Sequence, residues 1–276
     1  MEKPVILNVP DVQSEHDDRE IALDQVGVSD LRYPITVVDR GQKEQLVTAT
    51  LSMSVDLPHQ FKGTHMSRFV EVLNGYRGEL TMRTLPQILT ELRNRLDAES
   101  AHIEVKFPFF LERNAPVTGL GGLMDYECTF RGVSSGDESD FVLEVDVPVT
   151  SLCPCSKEIS DYGAHNQRGN VLVQVRPTKD ADGNPETIWI EELVELVESC
   201  ASSPLYPLLK RPDERHVTMQ AYDNPVFVED LVRNVAVKLK SEERLVWFSV
   251  EAINQESIHN HNAFAKVERF TNNKDK

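Results

Sequence analysis

The chain has 276 residues, 40% hydrophobic and 27% charged, enough for one large domain or two modest ones around a packed core. Its 29 basic and 45 acidic side chains leave a formal net charge of −16, which excludes a broad nucleic-acid surface, although a local cationic cluster can still hold a small anion. No apolar run approaches the ~20 residues that cross a bilayer, no basic-then-apolar leader opens the chain, and four cysteines are too few for a disulfide scaffold; a soluble, cytoplasmic protein with reduced thiols is expected.

Residues 1–30 carry an acidic cluster (Glu15, Asp17, Asp18, Glu20) without periodicity. They read as a solvated arm or as a strap over a neighbouring subunit. From Tyr33 onward, ITVVDRG and QLVTATLSMSVDL predict two β-branched strands joined by a turn at Arg40-Gly41-Gln42. MSRFVEVLNGY places Met66, Phe69, Val70 and Leu73 at helical spacing. TLPQILTELRNRLD predicts a second helix with Leu85, Ile88, Leu89, Leu92 and Leu96 inward and a capping box from Thr84 to Gln87. AHIEVKFPFFLER and MDYECTFRGV then read as strands.

The order repeats in the second half. DFVLEVDVPV and GNVLVQVRP are strands separated by a long insertion. IWIEELVELVESC is a helix, and NPVFVEDLVRNVAVKLK is another, with Asn224 as its cap and Pro225 in its first turn. RLVWFSVEAIN and NAFAKVERF close the copy as strands. The expectation is an α+β chain of two ββααββ modules, at 31–136 and 137–276, following the 1–30 arm, with antiparallel sheets and helices on one face. Such sheets leave open edges, and assembly into an oligomer removes them.

The insertion VTSLCPCSKEISDYGAHNQRGN gathers Cys153, Cys155, Lys157, His165 and Arg168. Three readings stand: small apolar side chains in a loop, a redox pair strained by its one-residue gap, or a metal site. A closed structural zinc site needs four protein ligands, whereas an open catalytic site needs three, and the local supply fits the open version better. A further donor must come from a distance. Glu214, in what reads as the irregular loop KRPDERH, is a candidate or one of a run of solvated charges. Glu229, in the first turns of an amphipathic helix, faces a pocket or water. His259 and His261, at the start of the last strand, alternate onto one face as a proton shuttle or as polar edge residues. In the first copy, Lys62 and Arg68 flank a strand-to-helix turn with His59 and His65, where backbone amides can cradle a phosphate.

The segments KGTHMSRF, SLCPCSKEISDYGAHNQRG, NPVFVEDLVR and ESIHNHNAFA resemble those of the type IB GTP cyclohydrolase I family, prokaryotic enzymes that make 7,8-dihydroneopterin triphosphate and formate from GTP and water at the head of folate and pterin synthesis. The resemblance runs over nearly the whole chain from about residue 31. It implies two tandem tunnelling-fold (T-fold) modules assembled into a barrel-type homotetramer with sites between subunits. It implies that Cys153 is a metal-binding thiol that also acts in catalysis, His165 its imidazole partner, Glu214 a carboxylate ligand and Glu229 the purine anchor, and leaves Cys155 a neighbour without a fixed role. The adjacent Cys-x-x-His pattern of the type IA enzymes is absent. With a carboxylate in place of a thiolate the site is harder, so Mn²⁺ or Fe²⁺ are expected to serve as well as Zn²⁺. Lys62, Arg68, Lys157, Arg168, Lys210 and Arg211 are the cations available to the triphosphate. Two other readings stay open: an NADPH-dependent nitrile reductase of the same fold, and a non-catalytic purine- or pterin-binding oligomer.

Overall fold

The computed structural model describes residues 10–76, 80–81, 84–136 and 138–271. The first half contributes β1 (Leu23–Val38), β2 (Glu44–Leu57), α1 (Met66–Gly75), α2 (Leu85–Leu96), β3 (Ser100–Asn114) and β4 (Gly121–Ser135). The second contributes β5 (Glu138–Leu152), α3 (Pro154–Ile159), β6 (Asn166–Pro177), α4 (Ile190–Glu198), β7 (Ser203–Pro204), α5 (Arg211–Asp223), α6 (Val228–Lys240), β8 (Leu245–Asn254) and β9 (Ala263–Phe270). All strands belong to one antiparallel sheet in the order β1-β2-β3-β4-β5-β6-β8-β9, with β7 beside β5. Pairing of β4 with β5 makes the sheet continuous across the two halves.

Strict alternation sends one face of the sheet inward: Val47, Ala49, Leu51, Met53 and Val55 of β2 are all buried. On α2, Leu85, Ile88, Leu89 and Leu92 close over that face, and the helix stops at Asp97, which takes the left-handed conformation (φ 52°) and returns its N–H to Arg93. Val194 and Val197 of α4 and Leu231, Val232 and Val235 of α6 belong to the same apolar core. The opposite face is polar. There Arg131 bridges Glu104 (2.8 Å) and Glu144 (2.6 Å), and Asn170 donates to Asp146 (3.1 Å). Among the described residues β1 and β9 each have one unpaired edge, and Phe264 on β9 is 72% exposed.

Several sequence expectations change. The arm ends at residue 22, because Leu23–Asp30 already belong to β1; this edge stretch is mostly exposed and broken by register shifts, so it lacks an alternating pattern. Gly27 lies so close to β2 that a Cβ there would sit 1.9 Å from the Met53 carbonyl oxygen. The described part of the arm seats on its own chain: Lys62 N–H donates to Glu15 O and Gly63 N–H to Gln13 O, both at 3.1 Å. Thr84 does precede α2, but its hydroxyl turns back to the Thr81 carbonyl instead of forming the capping box. Asn224 closes α5 and does not start the last helix, which begins at Val228 after Phe227. The loop expected around Glu214 is the helix α5. Only Asp213 and Ala221 of it are buried, so it carries no apolar stripe, while Pro212 and the Asp213 carboxylate mark its start. His259 and His261 lie in the loop before β9 and not in the strand.

Replacing Ile88, fully enclosed between α2 and the sheet, by alanine leaves a cavity. Ile88→Ala is expected to destabilise the fold by about 2–5 kcal/mol, read as a lower urea midpoint at unchanged secondary-structure content.

Candidate active site

β5 and β6 pair to their last residues, Leu152 opposite Asn166, and the insertion 153–165 leaves from that point. Its base is closed by the Cys153 N–H donating to the His165 carbonyl at 3.1 Å. Cys153 is the N-cap of α3, its Sγ accepting the Ser156 N–H at 3.4 Å, and Pro154 occupies the first turn. The Ser156 hydroxyl in turn accepts the His165 N–H at 3.3 Å. These bonds bring the two residues singled out by sequence together at one end of the sheet. The His165 side chain is 11% exposed; its Nδ1 lies 2.9 Å from Gln167 Oε1 and 3.9 Å from Glu256 Oε2. The His259 ring stands edge-on to His165 at 6.4 Å between centroids and stacks on His261 at 5.2 Å. Alternation along a strand does not pair these histidines; a loop folded over the site does.

Cys155 is exposed on α3, and all four cysteines are free thiols, so the redox-pair reading finds no disulfide here. Glu214 and Glu229 occupy the exposed first turns of α5 and α6. Among the described residues no three His, Cys, Asp or Glu side chains form a ready metal cage, so the Cys153–His165–Glu214 set is not assembled within one chain. Cys153 and His165, a thiol and an imidazole, have the chemistry that borderline and soft divalent cations take.

The basic candidates are distributed differently. Lys157 donates to the Tyr222 carbonyl and packs over its ring, tying α3 to the end of α5. Lys62 pairs with Glu15 at 2.9 Å, and Arg68 donates to the Arg95 carbonyl at 3.0 Å. Both follow the end of β2, which the register aligns with the start of β3, the end of β4 and the start of β5. Cys153 follows the end of β5. The cationic turn and the Cys153–His165 pair thus sit at opposite ends of the sheet, separated by roughly the 50 Å that 15 extended residues span.

Sequence reasoning passed over several residues that build the site. Gln167, Ser151 and Asn254 are buried polar residues beneath His165; Ser151 and Gln167 fall within the insertion VTSLCPCSKEISDYGAHNQRGN, whose ends the ladder takes into β5 and β6, and Asn254 closes a predicted strand. Glu256 opens the ESIHNHNAFA segment that also carries His259 and His261. Asp213 is fully buried and accepts from the N–H groups of Val117, Thr118 and Lys210 and from the Thr118 hydroxyl, all within 2.8–2.9 Å. It therefore anchors the start of α5, and Glu214 with it, to the β3–β4 loop.

The continuous sheet with helices on one face places the chain in the T-fold class. Its backbone resembles the crystal structure of uricase from Arthrobacter globiformis at a TM-score of 0.55, with 8% identity over 90% of this chain and 94% of that one. It also resembles a urate oxidase mutant from Bacillus sp. TB-90 at 0.52, with 12% identity over 90% and 98%. The sequence profile of the family described as Type I GTP cyclohydrolase folE2 matches residues 9–265. GTP cyclohydrolase FolE2 of Syntrophotalea carbinolica is 56% identical over 258 residues, covering 94% of each chain. The protein of the same name from Geobacter metallireducens is 54% identical over 264 residues, covering 96% of this chain and 98% of the relative. The chain belongs to the type I GTP cyclohydrolase FolE2 family of enzymes, and neither the reductase nor the non-catalytic reading is favoured.

Burial acts to raise the Asp213 pKa, but the hydrogen bonds from Thr118, Lys210 and Val117 outweigh it and hold the carboxyl well below its ordinary value of 3.8. Its contribution to stability is therefore complete above about pH 4 and lost as pH falls through the lower folded value. Asp213→Ala should lower the thermal midpoint at neutral pH and flatten the acid side of the midpoint-versus-pH curve, measured by circular dichroism between about pH 2 and 7.

Proposed function

We propose that this chain catalyses the conversion of GTP and water to 7,8-dihydroneopterin triphosphate and formate, as a cytoplasmic homotetramer that uses a divalent cation. The observation that carries the reading is the pinch at the base of the insertion, Cys153 N–H to His165 O, in a chain matched to the family over 9–265. Among the described residues no helix is long and apolar enough to cross a membrane.

The purine must be opened at carbon 8, a poor electrophile. A bound divalent cation supplies Lewis acidity that makes water a competent nucleophile near neutral pH. Cys153 Sγ and His165 would hold it, with Glu214 as the third donor; a sulfur, nitrogen and oxygen set accommodates Zn²⁺, Mn²⁺ or Fe²⁺. Cys153 also stands beside the reacting carbon in this reading. Two waters are taken up as formate leaves and one is released when the rearranged ribose carbons close the new ring, a net uptake of one. The proton transfers of these later steps fall to the stacked His259 and His261 beside His165.

Glu229 would accept two parallel hydrogen bonds from the ring N–H and amino group of guanine. Adenine lacks that donor pair, and a polar group left unpaired can discriminate by ~10⁴. Lys62 and Arg68 would receive the triphosphate. Because the sheet separates them from Cys153 in one chain, they serve this site only if a neighbouring protomer delivers them. The open edges of β1 and β9 are where such a neighbour would join.

Incubation with GTP and Mn²⁺ is expected to yield a pterin that fluoresces after oxidation, and Cys153→Ala to abolish it at unchanged oligomer size and secondary structure; near-normal turnover of that variant would exclude Cys153. Glu229→Gln weakens a charge-assisted pair worth about 1.5–3 kcal/mol. It should lower kcat/KM for GTP by roughly 10- to 100-fold with metal content unchanged by elemental analysis, whereas loss of metal would mean that the two glutamates have exchanged roles.

A further inference from the structure

Beneath His165 runs a chain of hydrogen bonds whose direction can be deduced from one end. Ser151 and Gln167 are cross-strand partners in the β5–β6 ladder, and Asn254 ends β8; all three side chains are buried. The Ser151 Oγ lies 3.0 Å from the Val226 carbonyl, 3.1 Å from Asn254 Nδ2 and 3.4 Å from Gln167 Nε2. A main-chain carbonyl only accepts, so the single hydroxyl proton of Ser151 goes to Val226. Its remaining capacity is for acceptance, and both amide groups must turn their NH₂ toward it. Gln167 therefore presents Oε1 to His165, 2.9 Å from Nδ1. An acceptor at that point requires a proton on Nδ1, which leaves the lone pair of the neutral imidazole on Nε2.

We infer that Gln167, oriented by Ser151 against the Val226 carbonyl, is a positioning residue that fixes His165 in the Nδ1–H tautomer and presents bare Nε2 to the site. A solvent-exposed neutral histidine side chain favours the opposite, Nε2–H tautomer, so the environment must impose this one. The inference deepens the reading of His165 as a metal ligand and rests on it for its purpose, but the tautomer itself is a property of the metal-free chain. Glu256 is the rival: its carboxylate is 3.9 Å from the same Nδ1, beyond hydrogen-bond range, yet a small shift would bring it into contact. The root of the network on Val226 also links the ligand loop to the segment leading into α6 and Glu229, because Val226 N–H donates back to Leu152 O at 3.0 Å.

The test is a long-range proton–nitrogen NMR correlation on metal-free full-length protein at about pH 8, which reads directly which ring nitrogen of His165 carries the proton. Wild type should show protonated Nδ1 and bare Nε2. Gln167→Met, similar in volume and unable to accept in the same way, should shift His165 toward the Nε2–H form and weaken Mn²⁺ or Zn²⁺ binding by about 10- to 100-fold in a calorimetric titration. Ser151→Ala, which frees the Gln167 amide to turn over, should give the same shift in smaller measure and serves if the methionine variant does not fold. The inference is overturned if wild-type His165 carries its proton on Nε2. It is equally overturned if the Nδ1–H form survives Gln167→Met and is lost instead in Glu256→Gln. Because none of these readings uses GTP, a chain that fails to turn over substrate could still pass them, and the two failures stay distinct.

Discussion

Antiparallel pairing of β5 with β6, carried to Leu152 and Asn166 and one step further by Cys153 N–H to His165 O, is the constraint from which the site follows. A ladder closed to its last rung fixes where an insertion begins and ends, so residues twelve positions apart in sequence become neighbours, and Ser156 inside the insertion adds a bond to each. The same ladder sets Ser151 against Gln167 and points both inward below the histidine. The candidate pair thus sits immediately beyond the last rung of a strand pair, while Glu256, His259 and His261 come from the loop after β8. Rigid support of this kind is what a ligand pair needs if its geometry is to be held before a cation or substrate arrives.

The acidity of the chain is distributed with some logic. On the polar sheet face, carboxylates are interleaved with Arg131 and Asn170, and burial together with Glu127 and Glu144 pushes the Asp146 carboxyl above its ordinary value. In the turn after β2, the acidic arm already engages two of the candidate side chains: Glu15 holds Lys62, and Asp11 lies 3.3 Å from His65. A polyanion arriving at that turn would meet basic groups with carboxylate partners in place.

Much of this architecture was legible in the sequence, and the exceptions share a cause. Strands such as β2 and β5 and helices α2, α4 and α6 bury one face each, so their periodicity is written in apolar residues. Helix α5 buries an aspartate and an alanine, and the first third of β1 buries nothing; both look irregular or solvated in sequence because apolar burial is what gives an element its visible period. In the site, Cys153 and His165 announced themselves by residue type. Gln167, Ser151 and Asn254 do not, since Ser151 and Gln167 read as part of the insertion and a polar residue at a strand end looks the same whether it faces water or a partner; only the register tells which. The distance between the Lys62 turn and Cys153 was likewise invisible until strand directions were known.

Contacts between the two halves bear on how separable they are. Asp213 takes two of its three peptide donors from the β3–β4 loop, Glu191 accepts the Arg40 N–H at 2.6 Å, and Glu198 is held by Arg113 and Tyr126. In each case a buried carboxylate of the second half is neutralised or solvated by groups of the first. Severed at residue 137, the C-terminal portion would lose the first-half partners of three acids and would expose the β5 edge and the part of the shared apolar core that the first half covers. Similar as the halves are in outline, each of these contacts has one partner on either side of the junction, so shuffling one half against a foreign counterpart would require exchanging both sides of every such contact.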